Sequence, residues 1–360
     1  MTFLDLLKLL VSRRGSDLHL LAGLHPAIRV NGALLALTEL ERMTPETSKA
    51  IIYEILNEHQ KALFENEPDT RHELDFGYGV PGLGRFRINV HVQRGTVATA
   101  VRALSSVIPD FDGLGLPPSV RAFTQAKRGL VLITGPTGCG KSTTLAALID
   151  AINRTRSDHI LTIEDPIEYL HKSQKSYVTQ REVGPSGDTL SFKNALKYAL
   201  RQDPDVILIG EMRDAETIGI AITSAETGHL VLGTLHTSSA AQTVSRIIDV
   251  FPAEQQPQVQ SQLAANILGV ISQVLLPRVD KPGRVLACEV MFASAAVRNN
   301  IRAGKVETIA QVMQTSASEG MQTMDQSLTQ LCKSGAIDYD TAKPFIHDKG
   351  THDTLKSFSR

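Results

Sequence analysis

Residues 135–142 read Gly-Pro-Thr-Gly-Cys-Gly-Lys-Ser, with Gly135, Gly140, Lys141 and Ser142 filling every fixed position of G-x-x-x-x-G-K-[ST]. Glycines at this spacing let backbone N–H groups face an anion, and a helix beginning at the lysine adds partial positive charge. The chemistry is phosphate binding. Gly135, Pro136, Thr137, Gly138, Cys139 and Gly140 form the cradle, with Thr143 at its rim. Lys141 is placed to reach the β- and γ-phosphates of ATP, and Ser142 to ligate Mg²⁺.

Three further segments carry residues suited to work beside a phosphate. Asp205-Val-Ile-Leu-Ile-Gly-Glu211 is an apolar strand ending in a carboxylate, a Walker B pattern in which Gly210 holds the usual aspartate position and Glu211 follows. Glu211 would contact Mg²⁺ through water or act as base toward the attacking water. Ile160-Leu-Thr-Ile-Glu-Asp-Pro166 is a second strand that ends in Glu164 and Asp165, with Pro166 stopping it. Carboxylates at two strand tips can share the holding of Mg²⁺ and the orientation of water. His229 and His236 bracket the run Leu-Val-Leu-Gly-Thr-Leu, and together suggest a γ-phosphate sensor.

These residues need a scaffold. An apolar run at 129–134 precedes the glycine loop, and helical spacing follows it to Ala151. From residue 123, strands near 130–134, 160–164, 206–210 and 230–235 alternate with helices. That pattern predicts an α/β fold, a RecA-like P-loop core over 123–290 with a parallel sheet covered on both faces. Residues 1–105 predict a smaller α+β domain. It opens with a short amphipathic helix carrying Leu4, Leu7 and Val11 on one face, and Asn31-Gly32 marks a hairpin. The Pro- and Gly-rich stretch 106–122 reads as a hinge linker, 291–347 as a helical C-terminal region, and 348–360 as a frayed polar tail.

Composition narrows the classes. Net charge is −1, with 37 basic and 38 acidic residues, so no global field favours nucleic acid or anionic lipid. The three cysteines, Cys139, Cys288 and Cys332, are far apart and form neither a disulfide framework nor a zinc motif. No segment has the length of a membrane span. The expectation is a cytoplasmic protein that meets a membrane only through partners.

Together the four segments resemble the secretion ATPase superfamily, whose members power type II secretion, type IV secretion and type IV pili. The pattern there is Walker A, an aspartate box, Walker B with Met212-Arg-Asp-Ala-Glu-Thr217, and a histidine box at Thr227–His236. Gly15-Ser-Asp-Leu-His-Leu20 looks like that family's small PAS-like domain. Ala296-Val-Arg-Asn-Asn-Ile-Arg302 is similar to the Ala-Ile-Arg-Asn-Leu-Ile-Arg motif of type IV pilus retraction ATPases, with Val297 and Asn300 as departures. Gly320-Met-Gln-Thr-Met-Asp325 also looks like that subfamily. Read blind, 296–302 is a basic helix face. The long N-terminal extension and tetracysteine loop usual in assembly and type II secretion motors are absent from this sequence.

The resemblance implies a homo-hexameric ring in which ATP binds between the two domains of a subunit and at the subunit edge. It implies a position at the inner-membrane face of the pilus machine and an inner-membrane platform protein as partner. Arginines of the small domain would approach the phosphates. Arg87 and Arg102 match best, and Arg85 lies on the same strand face as Arg87. Lys141, Glu211 and Glu164 would carry catalysis. The rival within the family is a pilus-assembly or type II secretion ATPase. Outside it stand a RecA-type nucleic-acid motor, which lacks an aromatic–basic strip here, and a nucleotide-dependent scaffold.

Overall fold

The structure, a computed structural model, describes residues 1–66, 72–104, 107–184 and 187–358. The expected domain boundary at 105 and 106 and the tail's last two positions, 359 and 360, lie outside the described residues. The chain divides into two compact units, one of Met1–Val107, Asp165–Leu170 and Arg181–Ser191, the other of Ile108–Glu164, His171–Gln180 and Phe192–Arg360. Both pieces of 165–191 that join the first unit fall within the range read as the core domain.

The first unit holds α1 (Phe3–Ser12), β1 (Asp17–Leu20), β2 (Ala27–Val30), β3 (Ala33–Ala36), α2 (Pro45–Tyr53), α3 (Glu58–Asn66), β4 (Glu73–Val80), β5 (Gly84–Gln93) and β6 (Thr96–Ala103). Its six-stranded sheet runs β3-β2-β1-β6-β5-β4, every neighbour antiparallel. Asn31 (φ 50°) and Gly32 (φ 86°) make the tight β2–β3 turn, as the Asn-Gly pair predicts. Thr2 and Asp5 close a reciprocal cap on α1. Its buried face is Phe3, Leu6, Leu7 and Leu10, whereas Leu4 and Val11 are each 38% exposed. The expected stripe is rotated because Phe3 supplies the larger apolar surface. The apolar face of β5, Phe86, Ile88 and Val90, joins this core.

The second unit opens with α4 (Ala122–Gln125), β7 (Gly129–Thr134), α5 (Lys141–Thr155), β8 (His159–Glu164) and β9 (Tyr177–Glu182), whose last two residues lie in the first unit. It continues with α6 (Phe192–Ala199), β10 (Val206–Ile209), α7 (Ala215–Glu226), β11 (Leu230–Leu235), α8 (Ala240–Asp249) and α9 (Gln256–Asn266). Then come β12 (Ile267–Pro277), β13 (Arg284–Phe292), α10 (Ala295–Arg302), α11 (Ile309–Thr315), α12 (Met324–Lys333), α13 (Tyr339–Ala342) and α14 (Lys349–Phe358). Seven strands form one sheet in the order β13-β12-β7-β11-β10-β8-β9. The five from β12 to β8 are parallel, with β7, β10 and β11 buried at every position. Continuous apolar strands of this kind belong in a sheet covered on both faces. The long antiparallel pair β12–β13 was not anticipated, so the sheet is mixed rather than wholly parallel.

Two sequence expectations change here. Phe111 and Val120, inside the segment read as a linker, are buried in the core of the second unit. Their apolar surface outweighs the turn-forming prolines around them. The polar tail is helical as α14, and Leu355 is buried against α12 and the β12–β13 pair. The Asp325 carboxylate accepts the His347 and Asp348 N–H groups at 2.9 and 2.8 Å, which fixes the entry to α14.

Candidate active site

The glycine loop connects β7 to α5, and Gly140 (φ 94°) stands at the helix cap in the left-handed region. Gly135 (φ 138°) packs directly on the Gln273 carbonyl oxygen, where a Cβ would have no room. Lys141 Nζ donates to the carbonyls of Gly135 and Pro136 at 2.8 and 3.1 Å. The ammonium therefore lies across the mouth of the loop. Ser142 and Thr143 continue the first turn of α5, and Cys139 is buried with its thiol pushed up by burial. From Gly135 to Thr143, every residue read as part of the cradle lies on this one connection.

Strand register sets the remaining groups against the loop. Ile163 pairs with Ile209, Ile209 with Gly233, and Gly233 with Leu132. One step on, Glu164, Gly210, Thr234 and Ile133 stand abreast; two steps on, Glu211, Leu235 and Thr134 do so. Hydrogen bonds from Gly210 N to Ile163 O (2.7 Å) and Met212 N to Thr234 O (3.0 Å) hold this row beyond the strand ends. Neighbouring strands are ~4.8 Å apart, so Glu211 is separated from the start of the glycine loop by ~10 Å. That spacing leaves room for a terminal phosphate and a water.

Glu211 is held by two neighbouring side chains. Arg213 grips it side-on, Nε to Oε1 and Nη2 to Oε2, both at 2.6 Å. His236 Nε2 lies 3.0 Å from Oε1. The Arg213 hydrogen bonds hold the Glu211 carboxyl below the ordinary glutamate range, aided by the Arg213 charge and His236, while partial burial opposes them. Glu164 Oε1 accepts from Thr162 Oγ1 at 2.6 Å and Gln180 Nε2 at 3.0 Å. Glu211 and Ser142 offer oxygen donors, the set a hard cation such as Mg²⁺ takes.

His229 is a correction. It stands at the opposite end of β11, where its carbonyl accepts the Gly129 N–H and its Nδ1 is 2.9 Å from Ser224 O. A six-residue strand separates the two histidines by ~20 Å. Within one subunit only His236 is beside Glu211, and His229 closes the α7–β11 turn.

In the first unit, Arg85 is also a correction to the phosphate-binding expectation. Its Nη2 donates to Glu182 Oε2 at 2.8 Å, and the same buried carboxylate accepts Gly77 N at 2.7 Å and Ile167 N at 3.3 Å. This guanidinium is committed to a buried structural pair. Arg87 and Arg102 face each other across β5 and β6, with side chains 46% and 66% exposed. Arg102 Nε donates to Asp17 Oδ1 at 3.0 Å, and Arg87 lies 3.9 Å from Asp75. Both line a cavity of about 260 Å³ with Pro166, Glu168 and Tyr169. Asp165 opens that last segment.

Comparison with known proteins decides the family. The type II/IV secretion system protein family matches residues 95–335. The type IV pilus retraction ATPase PilT of Pseudomonas aeruginosa is 47% identical over 343 residues, 95% of this chain and 97% of that one. The twitching motility protein of Neisseria gonorrhoeae is 48% identical, covering 88% and 83% of the two chains. A crystal structure of the pilus retraction motor PilT with bound ADP superimposes with a TM-score of 0.89, at 47% identity over 99% of this chain and all of that one. The chain belongs to the secretion ATPase family, among its pilus retraction ATPases.

Within this secretion ATPase, the subfamily-like motifs have structural work. Arg298 donates to the carbonyls of Ala264 and Ala265 at 2.6 and 2.7 Å and to Ala293 O at 2.9 Å, capping the end of α9. Val297 and Ile301 are buried and Asn300 stands outside that pair, so its polarity leaves the packing of α10 intact. In Gly320–Asp325, Gln322 bridges Val290 by backbone and Thr323 caps α12 with Gln326.

Sequence reasoning missed Gln273. It is 2% exposed, its Nε2 donates to Cys139 O at 2.9 Å, and its Oε1 accepts Thr144 Oγ1 at 3.0 Å. Beside it, Ser272 and Thr134 hydroxyls are 2.7 Å apart. The signal was present: Ser272-Gln273 is a polar pair within an otherwise apolar eleven-residue strand. Arg213 lies in the Met212–Thr217 motif, where its residue type alone gives no sign of its bond to Glu211.

Proposed function

We propose that this secretion ATPase is an ATP-hydrolysing hexameric motor that powers type IV pilus retraction. The observation that carries this reading is the strand-tip row. It sets Glu211 and His236 beside a complete phosphate loop, in a chain similar over nearly its whole length to a pilus retraction ATPase. The parallel strands around β7 support a RecA-like core, and the antiparallel sheet with α1–α3 supports a PAS-like domain.

The loop amides and Lys141 hold the β- and γ-phosphates. Glu211 takes the proton of the attacking water, and Glu164 helps to orient that water. Ser142 and, by way of water, Glu211 would hold the Mg²⁺ that accompanies ATP, and that ion would supply neutralisation of phosphate charge. His236 hydrogen-bonds to Glu211 or the terminal phosphate. Arg87 and Arg102 supply counter-charge to phosphates in the assembled ring; Arg85 does not, because Glu182 holds it. Phosphoryl transfer asks mainly for positioning and charge neutralisation, which is what these groups offer. Hydrolysis drives domain rotation, passed to an inner-membrane platform protein at the cytoplasmic face. Among the described residues no helix is long and apolar enough to cross a membrane, so the membrane contact goes through that partner.

A deletion strain tests the reading. Excess surface pili with lost twitching is the expected outcome. Loss of pili would point to assembly, and unchanged pili and twitching would overturn the cellular role.

A further inference from the structure

Glu164 has a neighbour with no role in the mechanism above. Gln180, on the edge strand β9 next to β8, donates from Nε2 to Glu164 Oε1 at 3.0 Å. Its own Oε1 accepts the His171 N–H at 2.8 Å. Each partner dictates one end of the amide, because a backbone N–H requires an acceptor and an ionised carboxylate requires a donor. Only one of the two amide orientations satisfies both.

Glu164 occupies a place in the chain where such a hold matters. It is the last residue of the second unit before 165–170, which belong to the first, and His171 is the residue at which the chain returns. Gln180 holds the residue at each end of that departure, and it is itself the last residue of the second unit before 181–191 leave it. Strand β8 supplies a second hold. Thr162, fully buried and two residues back on the same strand face, donates from Oγ1 to the same Glu164 Oε1 at 2.6 Å. The terminal torsion of a glutamate is broad when nothing restrains it. Two donors converging on one oxygen restrain it, and bonds to an ionised acceptor are the stronger class.

We infer that Gln180 is a positioning residue, which sets the Glu164 carboxylate in the orientation that directs the attacking water. It acts through Glu164, so the inference rests on the reading of Glu164 as the residue that orients water. The consequence falls on the rate of the chemical step and not on the hold on nucleotide, which belongs to the glycine loop and Lys141.

The test is steady-state ATP hydrolysis by the full-length protein. Q180M keeps the length of the side chain and removes both bonds. It should lower kcat about ten- to hundredfold, the upper end being the cost of misplacing a reacting group by ~1 Å. KM for ATP and the Kd of a non-hydrolysable analogue should stay within about twofold of wild type. Q180E separates the two bonds, since it keeps an acceptor for the His171 N–H but sets a second carboxylate against Glu164. A purely structural tether would be restored by Q180E, whereas a positioning residue leaves Q180E at least as slow as Q180M. Q180E, which retains the His171 bond, carries the test alone should Q180M fail to fold. E164A and E164A/Q180M should share one kcat, because Gln180 acts through Glu164. Wild-type kcat in folded Q180M or in Q180E, or a further loss in the double variant, would overturn the inference. Wild-type hydrolysis by E164A would instead overturn the reading of Glu164 on which it depends.

Discussion

At the scale of single residues, Lys141 and Gln273 act on the same loop from opposite sides. Lys141 already lies against the loop carbonyls at 2.8 and 3.1 Å, so its charge is pre-positioned where phosphate oxygens will be. Lys141→Ala removes that charge from a half-exposed side chain and leaves the fold intact. We expect kcat/KM for ATP to fall by at least ~100-fold, the scale of losing one preorganised electrostatic contact, with the circular dichroism spectrum unchanged. Gln273 works from below, satisfying the Cys139 carbonyl and the Thr144 hydroxyl at once. Gln273→Leu keeps the volume but leaves both partners buried and unpaired, at a cost of about 1–3 kcal/mol. Because those partners lie in the loop and the first turn of α5, the expected signature is a raised KM with a smaller change in kcat, together with a lowered urea midpoint. Glu211 was legible from its place at the end of an apolar strand. Gln273 was not, because a buried glutamine matters through its two partners, which are more than a hundred residues away in sequence.

Elements that a local pattern specifies matched their expectation, and those specified by distant surface did not. The strands at 129–134, 206–209 and 230–235 carry unbroken apolar runs, and they form the buried centre of the sheet. The linker and the tail failed for one shared reason: Phe111, Val120 and Leu355 each find apolar surface contributed by other parts of the chain. For α14 that docking is backed by Asp325, which takes two backbone N–H groups at the helix entrance. Asp325→Ala should cost about 1–2 kcal/mol locally, as for loss of a helix-capping carboxylate. Hydrogen exchange should accelerate over 347–356 while ATP hydrolysis by the isolated protein stays within about twofold. Uniform acceleration throughout the second unit would mean that α14 is not a separable element.

For the molecule as a whole, the order of motifs along the chain was readable, but the division of labour between units was not. The segments 165–170 and 181–191 leave the second unit's run of sequence and pack in the first. Nothing in composition marks them, because the deciding contacts, Glu182 with Arg85 and Gly77, span about a hundred residues. Between these two segments lies 171–180, and its His171 gives a global reading of stability. The imidazole is mostly buried, its Nδ1 has no hydrogen-bond partner among the described residues, and burial pushes it down to about 4. In the unfolded chain the same group titrates near 6.5. The folded state therefore binds its proton more weakly, so unfolding is favoured as pH falls. The contribution is fully present above about pH 6.5 and is lost as pH drops toward 4. By linkage the loss amounts to at most about 2 kcal/mol between pH 7 and pH 4.5. Other groups titrate in that window, so the measurement that isolates His171 is a difference. The urea midpoint of wild type should fall more steeply over this range than that of His171→Gln, which cannot take up the proton. Parallel slopes for the two proteins would show that His171 is as accessible to protons in the folded state as in the unfolded one.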